Sequence, residues 1–166
     1  PVKIEAPSSH IYFRNYAKLI PEKFGFTARN NSGQRSTKRN ASDVINALLN
    51  YGYAILSGEI SKFVCGFGLD AYCGFYHKSH TGFQPLVYDM MEPFRWLVEY
   101  SVYKFANQHE GKRIRMKDYA ITREVKVVLD SGLIQRFLEI LERKFQSERP
   151  YKFKHGMKRG DGMSMC

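Results

Sequence analysis

The residues able to do chemistry gather at two places in this 166-residue sequence. His77 ends the run Gly74-Phe75-Tyr76-His77, and an acidic turn follows at Tyr88-Asp89-Met90-Met91-Glu92-Pro93-Phe94-Arg95. Glu5, near the N-terminus, is a third candidate ligand. One imidazole and two or three carboxylates suit a hard divalent cation, and without a thiolate manganese or magnesium fits better than zinc. The chain around them carries a formal charge of +10. A cation site on a basic protein points to phosphodiester chemistry on nucleic acid.

Each candidate also has an ordinary reading. Glu5 shares a helix face with Tyr12, seven residues on, and is either a first-turn acid favoured by the helix dipole or a ligand. His77 follows two aromatics, and alternation there would turn the rings inward and hold the imidazole against the domain. His80, in a polar turn, is the weaker histidine. Asp89 and Glu92 have the spacing of a capping box ahead of an apolar run. Pro93 fits better if Glu92 stands just before the helix, which gives proline its preferred first position. Arg95, three residues after Glu92, is placed to pair with it. Asn46 and Asn50 lie one turn apart on an apolar helix and face either a polar cavity or an exposed edge.

The elements that must position these residues read as helices. Apolar residues recur at helical spacing from Ile4 to Ile20, where Pro21 ends the run. Residues 21–41 read as a long surface loop. Ser42 or Asp43 then caps a strong helix carrying Ile45, Leu48, Leu49, Ile55, Leu56, Ile60, Phe63 and Val64, closed by Gly66 and Gly68. Gly52 and Gly58 inside it imply close packing of a neighbour, with Asn46 to Val64 as the central buried helix. Residues 69–88 are rich in glycine and turns. Helices are expected from about Met90 to Ala106, Asp118 to Leu129 and Leu133 to Phe145, the last two broken at Ser131-Gly132. Residues 1–149 form one domain, and residues 150–166 a basic, flexible tail.

Composition narrows the classes. With 43% hydrophobic residues the chain can pack a core, and no stretch is long and apolar enough to span a membrane. Cys65, Cys73 and Cys166 form no CxxC pair, so a reducing cytoplasm is expected. No glycine phosphate loop is present, which leaves ATP-driven chemistry without a basis. Arg35, Lys38 and Arg39 belong to one basic stretch and Arg143 to Arg159 to another, both suited to a phosphate backbone.

Four blocks taken together carry a resemblance: Asn46-Ala47-Leu48-Leu49-Asn50-Tyr51-Gly52-Tyr53-Ala54-Ile55-Leu56, Gly68-Leu69-Asp70, Gly74-Phe75-Tyr76-His77 and Leu86-Val87-Tyr88-Asp89-Met90-Met91-Glu92-Pro93-Phe94-Arg95. In order and spacing they resemble the CRISPR-associated spacer-integrating endonuclease family, over about residues 3–145. The resemblance implies an all-α catalytic domain, with the family's N-terminal β domain absent from this chain. It implies Mn2+ or Mg2+ held by Glu5, His77 and Glu92, with Asp89, Tyr12 and Asn46 in support and Arg95 facing DNA. Ala6-Pro7 replaces the family's glycine-led segment, with Pro7 expected in the first turn of its helix, where proline is tolerated. The implied activity is metal-dependent cleavage of DNA and insertion of short fragments into a CRISPR array. The implied partners are double-stranded and branched DNA, a second copy in a homodimer, and a small ferredoxin-like CRISPR-associated protein. A casposon-type transposon integrase would use the same ligands, and a non-catalytic basic helical nucleic-acid-binding module is the alternative of another class.

Overall fold

The computed structural model describes residues 2–29, 41–77, 83–108, 113–122 and 127–147, with the backbone alone for residues 2–6. Arg35, Lys38, Arg39, His80 and the 150–166 segment lie outside the described residues, as does the side chain of Glu5. The described part is predominantly helical, as the sequence implies: α1 (Val2–Ala17), α2 (Val44–Gly66), α3 (Pro85–Met91), α4 (Arg95–Ala106) and α5 (Ser131–Phe145). The only sheet among the described residues is a two-stranded antiparallel pair, β1 (Tyr119–Ile121) and β2 (Val127–Leu129).

α2 is the centre of the fold. Asp43 caps it, its carboxylate accepting the Asn46 N–H at 2.8 Å. Its first half is buried from Val44 through Leu49, and α4 and α5 pack against it through Val98, Val102, Phe105 and Phe137. Gly52 is where these three helices meet: a Cβ there would stand 2.4 Å from Val98 Cγ1 and 3.2 Å from the Phe137 ring. Val98 is β-branched on a packed helix and has little room to yield. Gly58, expected to face a neighbour in the same way, has nothing among the described residues within 4 Å of such a Cβ. The second half of α2 is less covered: Leu56 is buried in the main core, with Ile55 and Ile60 partly buried against it, and Val64 in a smaller cluster with Ala71 and Val87. The two glycines should therefore respond oppositely in urea unfolding. Gly52→Ala should lose about 1–3 kcal/mol through overpacking, whereas Gly58→Ala should gain about 0.5–1 kcal/mol from helix propensity.

Four local expectations are corrected. Residues 21–41 are not simply a surface loop, because a 3-10 turn at Glu22–Phe24 sends Phe24 and Phe26 into the core. The helix expected from Met90 starts five residues earlier, with Pro85 in its first turn, and is interrupted by a 3-10 turn at Glu92–Phe94. Proline accounts for both features, since it starts helices well and cannot continue them. Pro7 lies past the first turn of α1, so the helical bond its missing N–H would make is absent. The fourth is the helix expected from Asp118 to Leu129, whose described residues include two antiparallel strands pairing Tyr119 with Leu129 and Ile121 with Val127. Asp118 anchors those strands, accepting from the Arg115 N–H at 2.8 Å and from Arg136 of α5 at 2.7 Å.

Candidate functional site

The His77 loop is built on one buried carboxylate. Asp89, in α3, has a side chain with no solvent exposure. Its Oδ2 accepts the N–H groups of Phe75 at 2.7 Å and Tyr76 at 2.9 Å, and its Oδ1 accepts the N–H of His77 at 3.0 Å. The same Oδ1 lies 2.5 Å from Nδ1 of the His77 ring. Burial pushes the Asp89 carboxyl up, but these four hydrogen bonds outweigh it and hold the group below the usual carboxylate range. Gly74 makes the wrap possible: a Cβ there would lie 2.5 Å from Pro85 Cβ and 3.0 Å from Asp89 Oδ2.

An ionised carboxylate only accepts, so Nδ1 must carry a ring proton, and in the neutral ring it is Nε2 that presents the lone pair. A carboxylate behind an imidazole is the arrangement that orients a metal-ligating histidine. Asp89 is therefore neither a helix N-cap nor a free acid, which excludes the capping-box reading. The expectation about the aromatics is also corrected. Phe75 is 77% and Tyr76 43% exposed, so backbone N–H groups hold the loop and the rings do not. The ring of His77 is 28% exposed. It meets Tyr76, Phe83 and Tyr88 at centroid distances of 5.2, 6.0 and 6.3 Å.

Glu92 closes α3, opens the 3-10 turn and is exposed. Its carboxylate is 3.4 Å from Nη1 of Arg95, so the ion-pair reading of these two residues stands beside the ligand reading. Arg95 lies over the Tyr53 ring at 5.0 Å, and its Nε is buried without a hydrogen-bond partner.

Asn46 and Asn50 face a polar interior. Each side-chain oxygen accepts from Arg29 at 2.9 Å, and Asn46 also donates to Ala28 and Asp43. Burial pushes the Arg29 guanidinium below its ordinary value, and the neighbouring Arg95 adds to this.

Sequence reasoning missed the partner of Tyr12. Glu99 of α4 is a buried carboxylate that takes one hydroxyl on each oxygen, Tyr12 of α1 on Oε2 and Tyr53 of α2 on Oε1. Tyr16 donates to the Glu99 backbone carbonyl at 2.7 Å. Burial first, and then the Glu99 carboxylate, push the phenols of Tyr12, Tyr16 and Tyr53 above their ordinary value, so all three remain donors. The available signal was an acid set inside the apolar stripe of Val98, Val102 and Phe105.

A metal would find part of a suitable donor set here. His77 offers a lone pair in a fixed tautomer and Glu92 an accessible carboxylate. Among the described residues no three His, Cys, Asp or Glu side chains gather into a metal-binding group, and the Glu5 side chain lies outside that set.

Comparison with known proteins bears on the same residues. The sequence model of the family described as CRISPR associated protein Cas1 matches residues 2–143. A CRISPR-associated protein Cas1 of Methanobrevibacter ruminantium is 40% identical over 105 residues, covering 63% of this chain and 29% of that protein. Among solved structures, a casposase bound to integration product superposes with a TM-score of 0.80 at 26% identity, covering 92% of this chain and 41% of that one. The Cas6-RT-Cas1–Cas2 complex gives 0.72 at 26% identity, covering 87% of this chain and 15% of that one. This chain spans a quarter to a third of the length of the curated relatives it matches, 25% to 34%.

Proposed function

The chain belongs to the CRISPR-associated Cas1 family, and from that membership we propose that it carries the catalytic helical part of a metal-dependent DNA endonuclease and integrase. The observation that supports this best is the Asp89–His77 pair, a buried carboxylate with no evident purpose except to fix one imidazole and its loop. A second observation concerns Glu5 and Glu92. Tyr12 bonds to Glu99 across an offset of 87 residues, and Asn107 bonds to the Leu19 carbonyl across 88. α1 and α4 therefore run side by side in parallel. Carried two turns toward the start of both, the same offset pairs position 5 with position 92.

In this reading Glu5, His77 Nε2 and Glu92 hold Mn2+ or Mg2+, which when bound supplies Lewis-acid stabilisation of charge on the scissile phosphate. Asp89 keeps the proton on Nδ1 and the ring in place. Arg95, beside Glu92, offers a guanidinium to a DNA phosphate, and Asn46 holds Arg29 beneath it. In integration a DNA 3′-hydroxyl oxygen forms the new bond to phosphorus and gives its proton to solvent, while the phosphorus–O3′ bond of the target strand breaks and the departing O3′ takes up a proton from solvent to become a free 3′-hydroxyl. In cleavage water replaces the hydroxyl. Residues 1–149 make the catalytic unit, while residues 150–166, with Arg35, Lys38 and Arg39, add charge for double-stranded or branched DNA. The complete protein would work in the cytoplasm as a homodimer with a small ferredoxin-like CRISPR-associated partner; the similarity to a complex containing Cas2 favours such a partner. No helix among the described residues is long and apolar enough to cross a membrane.

The likeness to a casposase favours a second reading, a transposon integrase with the same chemistry. Target choice separates the two: joining that prefers CRISPR repeat junctions supports the first. Branched DNA incubated with the protein should be cut and joined with Mn2+ present and left intact with a chelator. DNA binding without any metal-dependent cleavage would leave only the non-catalytic basic module.

A further inference from the structure

We infer that Glu99 is a positioning residue of the metal site, setting the relation between the helices that carry Glu5 and Glu92. The inference rests on the reading of those two residues and His77 as ligands. Glu99 is the one carboxylate among the described residues that accepts hydroxyls from two other helices, Tyr12 on α1 and Tyr53 on α2.

Burying a carboxylate is costly, and a leucine or methionine at this point would hold three helices together without that penalty. Apolar contacts, however, let helices slide and rotate, whereas a hydrogen bond fixes both distance and direction. The restraint is placed where it matters. Tyr12 stands two turns beyond Glu5 on α1, and Glu99 stands seven residues beyond Glu92 on the other side of the 3-10 turn. Seven residues of α-helix rise about 10.5 Å. The mixed 3-10 and α path from Glu92 rises about 12 Å, so the two levels nearly coincide.

α1 needs such a restraint. Among the described side chains its apolar hold on the core is Phe13, Tyr16 and the partly buried Ala17, with Ile20 just beyond its end, and Pro7 weakens the helix between Glu5 and Tyr12. Arg95 is bound into the same cluster, one turn before Glu99 and over the Tyr53 ring. A change at Glu99 would therefore reach Glu5 through Tyr12, and Glu92 through Tyr53 and Arg95.

Tyr12→Phe removes one hydroxyl from a ring that is already 46% exposed, so the fold should survive it. Glu99→Leu removes the acceptor and keeps the packing. Mn2+ affinity is read by electron paramagnetic resonance on the protein alone, beside thermal melts and DNA binding. Both variants should bind Mn2+ roughly tenfold more weakly, as changes behind metal ligands do, with DNA affinity unchanged. Glu99→Asp, which keeps the charge one methylene shorter, should recover part of the loss. If Glu99→Leu fails to fold, Tyr12→Phe alone decides. Wild-type Mn2+ affinity in a folded Tyr12→Phe or Glu99→Leu protein overturns the inference, whatever happens to the melting temperature. His77→Ala separates the two levels of the argument. If it leaves Mn2+ binding untouched, or the wild type binds none, the ligand reading falls and this inference falls with it.

Discussion

Asp89→Ala is expected to destabilise the fold by roughly 3–5 kcal/mol and, if His77 is a metal ligand as proposed, to abolish Mn2+ binding there. The carboxylate has no solvent exposure and accepts three backbone N–H groups and one ring N–H. Deleting it leaves four donors with no acceptor, each costing about 1–3 kcal/mol where water does not reach it. Part of that cost is relieved because the loop can open to solvent, which is why the estimate stays below the simple total. Opening has a functional consequence: Gly74 to His77 lose their anchor, and the Nδ1 proton loses the partner that fixes the tautomer. Asp89→Asn should be milder in stability, since one carbonyl oxygen remains, yet its amide nitrogen turns donors against the loop. Urea unfolding gives the stability and calorimetric Mn2+ titration the affinity. The pH dependence follows from the sign of the shift. The folded carboxyl lies below its ordinary value of 3.8, so its stabilisation is present above that pH and lost as pH falls through the lower folded value. Asp89→Ala should lack that part of the acid limb. A variant as stable as wild type with an ordered His77 would show that the four hydrogen bonds do not organise the loop.

How much of this was legible in the sequence depended on whether one period dominated a segment. α2 was legible because Ile45, Leu48, Leu49, Leu56 and Val64 repeat at helical spacing behind an aspartate cap, and α5 because Leu133, Phe137 and Leu141 do the same. Helix formers at Ala120, Glu124 and Lys126 are compatible with the helix expected from Asp118 to Leu129. The β-branched residues Ile121, Thr122, Val125, Val127 and Val128 were the stronger signal. α3 opens on a proline directly after a glycine- and turn-rich stretch, and its seven residues are too few to display a helical period.

For the candidate site, His77, Asp89 and Glu92 stood out by residue type, but their division of labour did not. Two acids three residues apart look equivalent in a sequence. In the fold one is buried beneath a loop and the other lies exposed beside Arg95, because the turn at Pro93 separates their environments. Glu99 was not visible as a partner of Tyr12, since nothing local in a chain announces a contact spanning 87 residues. Gly58 shows the reverse error. A helical glycine suggests close packing, yet no neighbour approaches this one among the described residues.

Glu92→Gln and His77→Ala should separate activity from stability in a way that Asp89→Ala cannot. Glu92 has a side chain 38% exposed and, among the described residues, its ion-pair partner is Arg95 at 3.4 Å, so the amide should change unfolding stability by no more than about 0.5 kcal/mol. His77→Ala removes a ring 28% exposed and leaves Asp89 with its three backbone donors, so the loop keeps its anchor. If these side chains are ligands, metal-dependent strand transfer should nevertheless fall by roughly a thousandfold or more in both variants. Duplex DNA binding should stay close to wild type, because a chain with a net charge of +10 draws most of its affinity from phosphate contacts elsewhere. Arg95→Ala should behave differently again, weakening binding across all sequences and leaving residual transfer, since it removes a phosphate contact and not a ligand. Quenched-flow or gel assays of strand transfer, run beside urea unfolding and DNA titrations on the same preparations, resolve the three patterns. Transfer that survives Glu92→Gln in a folded protein would assign Glu92 to its ion pair with Arg95 and leave His77 without a carboxylate co-ligand on this side of the site. Equal losses of transfer and DNA binding in both variants would instead make the His77 loop a structural element of the DNA-binding face.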